Sequence, residues 1–200
     1  MKKIISVIFV SFVFAVIFFS ANAYAAETER APDILSDILD SEELQLSLLY
    51  KDGETNTKIV YYIKGEKIAI DAYMPVADIS YNVLMRCVIY GDHCYIYLPK
   101  FPFFYIKVSA DVIDESMDTS MINYIGTEEK IIDGKEYTVE KYEYEGETVG
   151  YGRINDEIVF IETYTDYYNI VYIESISYSV NDLVFVRPFW AIDLSGFFSY

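Results

Sequence analysis

Residues 83–98 read VLMRCVIYGDHCYIYL and contain two apolar-rich segments, 83–90 and 93–98, on either side of Gly91 and Asp92. Both segments are rich in β-branched and aromatic residues, which favour β-strands. A glycine–aspartate pair between two such segments is typical of a tight hairpin loop. The pattern therefore predicts two antiparallel strands joined by a two-residue turn.

The predicted hairpin has two chemically different faces. Side chains alternate across a strand, so a two-residue loop places one set of six on the same face. This set is wholly apolar and consists of Met85, Cys87, Ile89, Cys94, Ile96 and Leu98. The opposite face carries Arg86, Val88, Tyr90, His93, Tyr95 and Tyr97. A tyrosine ring packs while its hydroxyl reaches water, so we expect this tyrosine-rich face to be half-solvated.

Segments of the same kind recur along the chain, separated by turn residues such as Asp133-Gly134. They predict further strands at 44–50, 58–64, 67–73, 103–108, 128–132, 136–144, 148–154, 157–165 and 170–178. Turns this short join antiparallel neighbours, because parallel strands need long crossovers. A sheet of about ten strands must curl or close. The sequence therefore predicts a mainly β (α+β) fold with a single strongly curved antiparallel sheet.

Two short segments have helical periodicity instead. The first follows Pro32 and places Ile34, Leu35, Ile38 and Leu39 along one face. The second runs from residue 111 to about residue 124, where Ile113, Met117 and Met121 recur at helical spacing. Ser109 precedes this second helix as a candidate cap, and Gly126 follows it.

The N-terminus has the three-part organisation of a secretory signal peptide. Lys2 and Lys3 precede an apolar run over residues 4–19, and small residues then lead to a predicted cleavage site after Ala25. The run of roughly 16 residues is short for a membrane span, which needs about 20. An uncleaved anchor is the alternative. We expect residues 26–200 to form one domain of a secreted or extracytoplasmic bacterial protein, with no stable membrane anchor after cleavage.

The chain is strongly acidic, with a formal net charge of −17 that becomes −19 once Lys2 and Lys3 are removed. Such a surface repels nucleic acid and anionic headgroups, so we expect no nucleic-acid partner.

Few residues are arranged for chemistry. His93 is the only histidine, and no G-x-S-x-G motif accompanies it. A zinc site lacks a second imidazole, and the carboxylates have no specific spacing. We therefore predict no catalytic residue, no metal and no cofactor. Cys87 and Cys94 are diagonal neighbours in the predicted hairpin, where either a disulfide or two buried thiols fits.

The last residues have a pattern of their own. Trp190, Ile192, Leu194, Phe198 and Tyr200 share one parity, which is typical of the closing strand of a bacterial outer-membrane barrel. Apolar residues on both parities of residues 59–63 and the two predicted helices argue against that interpretation.

Three segments, taken with the order of signal, helix and hairpins, resemble a known family. They are VIYGDHCYI at 88–96, IGTEEKIIDGKEY at 125–137, and the Phe185-x-x-Pro188 turn. The pattern is similar to that of the LolA/LppX lipoprotein-carrier superfamily, in particular exported members from gut Firmicutes. The resemblance implies a half-barrel whose concave face and helices enclose an apolar cavity. The cysteine that bears a lipid in anchored members is absent, which predicts a free protein.

The resemblance implies an exported, non-enzymatic protein that binds a lipid or another hydrophobic ligand in that cavity. The predicted lining is Met85, Cys87, Ile89, Cys94, Ile96, Leu98, Ile113, Met117 and Met121. The alternative is an extracellular module that binds a protein or a glycan through the tyrosine-rich or acidic face.

Overall fold

The computed structural model describes residues 30–52, 55–75, 82–110, 123–144, 146–155, 157–164, 168–188 and 190–197. The predicted signal peptide and most of the second predicted helix lie outside these residues. Helix α1 spans Ala31–Leu39. The strands are β1 (Glu43–Asp52), β2 (Thr55–Lys64), β3 (Lys67–Pro75), β4 (Asn82–Tyr90), β5 (His93–Tyr97), β6 (Phe104–Ser109), β7 (Asn123–Ile132), β8 (Lys135–Tyr144), β9 (Glu147–Ile154), β10 (Glu157–Tyr164), β11 (Tyr168–Ser177) and β12 (Ile192–Asp193).

These strands form one sheet in the order β12-β6-β5-β4-β3-β2-β1-β11-β10-β9-β8-β7. The short turns joining them favour antiparallel neighbours, and Asp133 and Gly134 adopt the positive φ angles of 51° and 76° that a tight hairpin turn requires. The predicted mainly β class and the single open antiparallel sheet are confirmed, with twelve strands in place of about ten. By contacts between residues, the chain divides into two compact units.

Two local predictions are wrong. The second helix does not reach Tyr124, because β7 begins at Asn123 and pairs Tyr124 with Tyr142. The two tyrosine rings meet at 5.5 Å between centroids, and this contact stabilises the strand. Gly126 therefore lies in a strand, beside an irregularity in the register, and does not follow a helix.

Over residues 190–197 the chain forms no long closing strand. β12 is two residues long and runs parallel to β6. After this strand, the Ser195 hydroxyl accepts a hydrogen bond from the backbone N–H of Lys107 at 2.6 Å.

Unit 1 contains α1 and strands β7 to β10 with most of β11. Its core centres on Tyr137, Val139 and Phe160. The Phe160 ring lies directly over Gly152, where an added Cβ would come within 2.1 Å of ring carbons. Glycine is therefore required in the middle of β9, although it is a poor strand residue, because the ring occupies the space of a side chain.

Helix α1 is positioned by the sheet of unit 1. Arg30 stands at the N-cap position of α1, but its side chain makes no capping hydrogen bond. The first backbone N–H of the helix, that of Ala31, donates instead to the Glu140 carboxylate at 3.0 Å. Burial by itself would raise the pKa of Glu140, but hydrogen bonds from Ala31, Tyr142 and Arg153 outweigh it and lower the pKa. A carboxylate at the helix start also interacts favourably with the helix dipole. Leu35 and Leu39 then bury the apolar side of the helix.

Unit 2 contains β2 to β6, β12 and the segment 178–197, which we call the C-terminal segment. Its core centres on Ala69, Val88 and Tyr97, and Val184 and Phe185 of the C-terminal segment pack against that core. The C-terminal segment therefore covers the part of the tyrosine-rich face around Val88 and Tyr97.

Replacing Gly152 with alanine should destabilise the protein by about 1–3 kcal/mol, because the new methyl group overlaps the Phe160 ring. Gly196 has open space around its Cβ position, so Gly196→Ala is the matched control and should change stability by no more than about 0.5 kcal/mol. Urea unfolding measures the free energy of unfolding of both variants. An unchanged midpoint for Gly152→Ala would show that the ring does not lie over the glycine.

Candidate ligand-binding face

One face of unit 2 is apolar across five neighbouring strands. The register aligns Tyr61 with Ile70, Ile70 with Cys87, and Cys87 with Ile96, and directly paired residues point to the same side. The same alternation adds residues from each strand. We call this set the apolar face: Ile59, Tyr61, Ile63, Ile68, Ile70, Ala72, Met85, Cys87, Ile89, Cys94, Ile96, Leu98, Phe104, Ile106 and Val108.

The apolar face is buried at one end and open at the other. Ile59 and Ile63 of β2 are buried, and most members on β3 and β4 are half-buried. Phe104 on β6 is 49% exposed, and Leu98 and Val108 are exposed as well. A surface of this kind removes apolar ligand area from water without directional hydrogen bonds.

The six hairpin residues predicted to line a cavity do share this face. Cys94 is buried, Leu98 is exposed, and the other four are half-buried. Ile113, Met117 and Met121 lie outside the described residues, so their part in a cavity stays a prediction. The sequence reasoning did not assign the members on β2, β3 and β6 to the site, because that step needs the strand order. Their alternating apolar pattern was the available signal.

The structure joins Cys87 and Cys94 as a disulfide, with 6.1 Å between their Cα atoms. Cys87 pairs with Ile96 and Cys94 pairs with Ile89, so the two cysteines are diagonal neighbours, as the hairpin register predicted. The bridge crosses the apolar face and ties β4 to β5.

The tyrosine-rich face is solvated at one end only, where Tyr90 beside the turn is 63% exposed. Tyr95 and Tyr97 are both buried. The Tyr97 hydroxyl donates to the Val186 carbonyl at 2.8 Å, and the Tyr95 hydroxyl accepts from Arg187 at 3.0 Å. These hydroxyls are therefore satisfied by the C-terminal segment in place of water.

An ion pair lies on the same face. Asp71 and Arg86 are directly paired across β3 and β4, and Asp71 is only 1% exposed. The guanidinium donates two hydrogen bonds to the carboxylate, Nε to Oδ1 at 2.6 Å and Nη2 to Oδ2 at 2.7 Å. Burial, and then the nearby Asp71 charge, raise the pKa of Tyr62 to about 12. Tyr62 therefore stays protonated at neutral pH.

Unit 1 holds a second buried carboxylate, Glu162, which is fully buried. Its Oε2 accepts from Lys130 at 2.5 Å and from Tyr168 at 2.8 Å, and its Oε1 accepts from Tyr164 at 2.6 Å. Burial, and then the hydrogen bond to Glu162, raise the pKa of Tyr164 to about 12. Both carboxylate oxygens are occupied and the phenol stays protonated, so this network supports the fold and offers no free base.

Within the described ranges, no group of three or more histidine, cysteine, aspartate or glutamate side chains is arranged to hold a metal ion. In the same part of the chain, no helix is both long and apolar enough to span a bilayer.

No family model matches this chain, and no curated protein matches it in sequence. Among solved structures, an uncharacterized conserved protein from Thermus thermophilus is similar, with a TM-score of 0.50, 10% identity, and coverage of 79% of this chain and 96% of that one. LprF from Mycobacterium bovis has a TM-score of 0.37 at 10% identity, with coverage of 72% of this chain and 90% of that one. A LolA superfamily protein from Nitrosomonas europaea has a TM-score of 0.38 at 10% identity, with coverage of 74% of this chain and 90% of that one.

Titration of the unfolded protein without reductant should detect no free thiol, because the structure pairs Cys87 with Cys94. The same titration after reduction should detect two, and this serves as the internal control. Two thiols before reduction would contradict the pairing and favour two buried, reduced cysteines.

Arg86→Met should destabilise the protein by about 3–5 kcal/mol, because it leaves the Asp71 carboxylate buried without its partner. Lys67→Met is the control, since Lys67 and Asp182 form an exposed pair at 3.7 Å and should contribute at most about 1 kcal/mol. Chemical unfolding of both variants gives the comparison. Equal losses for the two variants would be inconsistent with a buried pair.

The similarity to the Thermus protein, at 10% identity, is one of fold. The structures compared above include a LolA superfamily protein.

Proposed function

We propose that this chain is an exported, non-enzymatic binding protein that holds a lipid or another hydrophobic ligand against the apolar face of unit 2. The observation that carries the proposal is the continuity of that face over five strands, with exposed members at Leu98, Phe104 and Val108. Soluble proteins rarely expose a contiguous apolar surface that has no function.

The chemistry of the apolar face selects a class of ligand. Its side chains are aliphatic, aromatic or disulfide-bonded, and Tyr61 is buried with a pKa that burial raises. Affinity then comes from apolar area, at roughly 25 cal/mol per Å² or about 0.8 kcal/mol per methylene. Binding should therefore follow the length of an acyl chain more than the identity of its headgroup.

The remaining polar groups give this proposal no covalent step. His93 lies beside the Gly91-Asp92 turn, on the face opposite the apolar face, and pairs across β5 and β6 with Ser109. The buried carboxylates Asp71 and Glu162 are engaged by Arg86 and by Lys130.

The alternative function, recognition of a protein or glycan through the tyrosine-rich face, has less support. Tyr95 and Tyr97 are buried under the C-terminal segment and only Tyr90 of the three hairpin tyrosines is exposed, so the hairpin offers a partner one ring and not a patch of rings.

Native mass spectrometry of the protein recovered after export from its own host should show a mass above that of the bare polypeptide. The delipidated protein should then bind the fluorescent apolar probe 1-N-phenylnaphthylamine. Val108→Asp places a charge on the exposed end of the apolar face and should weaken probe binding by about tenfold or more.

Leu183→Asp is the matched control, because Leu183 is an exposed apolar residue on the C-terminal segment. Its probe affinity should stay within about twofold of the unmodified protein. A bare polypeptide mass together with no probe binding would refute ligand carriage. Equal effects of the two variants on probe affinity would show that the probe does not bind at the apolar face.

A further inference from the structure

Five large apolar side chains are exposed together at the edge of unit 2. Phe101, Phe103, Phe104, Trp190 and Ile192 are each between 49% and 63% exposed. We call this group the aromatic edge. Four of its five members are aromatic, and exposed clusters of this kind mark interaction sites.

The aromatic edge is held in place by the fold. The Ile192 backbone N–H donates to the Phe103 carbonyl at 2.9 Å, and the rings of Phe103 and Trp190 meet edge-on at 5.6 Å between centroids. A turn closes between Leu98 and Phe101, where the Phe101 N–H donates to the Leu98 carbonyl at 2.9 Å. The surface is therefore preformed, which lowers the entropic cost of binding.

The charge around the aromatic edge is opposite to that of the protein. The chain has 32 acidic residues among 200, yet residues 93–110 contain none and include Lys100 and Lys107. Residues 183–192 also contain no acidic residue and include Arg187, and the carboxylate that follows them, Asp193, interacts electrostatically with Lys107. Over residues 93–110 and 183–193 three basic residues thus outnumber the single carboxylate, Asp193, so the aromatic edge has a local excess of positive charge in a chain whose net charge is −17.

From this arrangement we propose that the aromatic edge docks transiently on a lipid bilayer that contains anionic headgroups. Trp190 and the phenylalanines enter the interface, where amphipathic and apolar rings partition favourably. Lys100 faces the anionic surface, while the acidic remainder of the protein is repelled and kept in solution. The carboxylate beside the aromatic edge, Asp193, already accepts hydrogen bonds from the backbone N–H and the hydroxyl of Ser195, which disfavours a glycan.

The aromatic edge also continues into the proposed ligand site, because Phe104 belongs to both surfaces. A docked protein would present the exposed end of the apolar face to the bilayer, and an acyl chain would pass between them without crossing bulk water. This step rests on the proposed function, since it takes the bilayer as the source or the destination of the ligand.

Trp190 is the only tryptophan in the chain, so its fluorescence reports on the aromatic edge alone. The protein recovered after export is mixed with phosphatidylcholine vesicles, with or without phosphatidylglycerol. We expect a blue shift of the emission and quenching by brominated acyl chains. Both effects should be stronger with phosphatidylglycerol and weaker at high salt.

Phe101→Ser should weaken vesicle binding by about tenfold, because it removes one inserted ring. Lys100→Gln should weaken it by about fivefold on anionic vesicles only. Leu183→Ser is the control, since Leu183 is even more exposed than Phe101 but lies outside the aromatic edge, and it should have no effect.

No change of Trp190 emission with either vesicle would overturn the proposal. A blue shift without vesicles that grows with protein concentration, together with a doubled mass, would instead assign the aromatic edge to a second copy of the chain. The vesicle experiment and the ligand experiment can fail independently of each other. Val108→Asn, which adds no charge, should weaken binding of the apolar probe and keep vesicle binding, whereas Phe101→Ser should do the reverse.

Discussion

The two-residue turn at Gly91-Asp92 sets the register of β4 against β5, and a shift of one residue would exchange every side chain between the two faces. Gly91 adopts a φ of 56°, which glycine accepts without strain. With that register, Cys87 and Cys94 meet on the apolar face, and Val88 and Tyr97 reach the core on the other face. The ion pair of Asp71 and Arg86 carries the same alignment to β3.

The two faces of unit 2 differ because only one is covered by the C-terminal segment. Val184 and Phe185 pack on the tyrosine-rich side, and backbone and guanidinium groups of the segment satisfy the hydroxyls of Tyr97 and Tyr95. Tyrosine is suited to such a core when a partner for its hydroxyl is present. The apolar face keeps exposed side chains at β6, which is where a ligand and a bilayer would meet the protein.

In unit 1, two glycines of β9 make room for two large side chains of β10. Phe160 and Glu162 are large side chains on one strand, and Gly152 and Gly150 of the neighbouring strand leave the space that they occupy. The buried carboxylate is tolerated because Lys130 and two tyrosine hydroxyls donate to it. Glycines that look unfavourable within a strand are therefore a consequence of side-chain volume on β10.

Local patterning was enough to predict the strands, most of their turns, the first helix and the shared face of Met85, Cys87 and Ile96. These features depend on alternation and turn chemistry between residues close in the chain. The tyrosine-rich face was predicted to be half-solvated throughout, but Tyr95 and Tyr97 are covered by residues about ninety positions later, and of its tyrosines only Tyr90 is exposed. The start of β7 at Asn123 was missed for the same kind of reason, since Tyr124 is held by Tyr142. Strand order, burial and the clustering of Phe103 with Trp190 are set by contacts between distant segments, and only the tertiary structure brings those segments together.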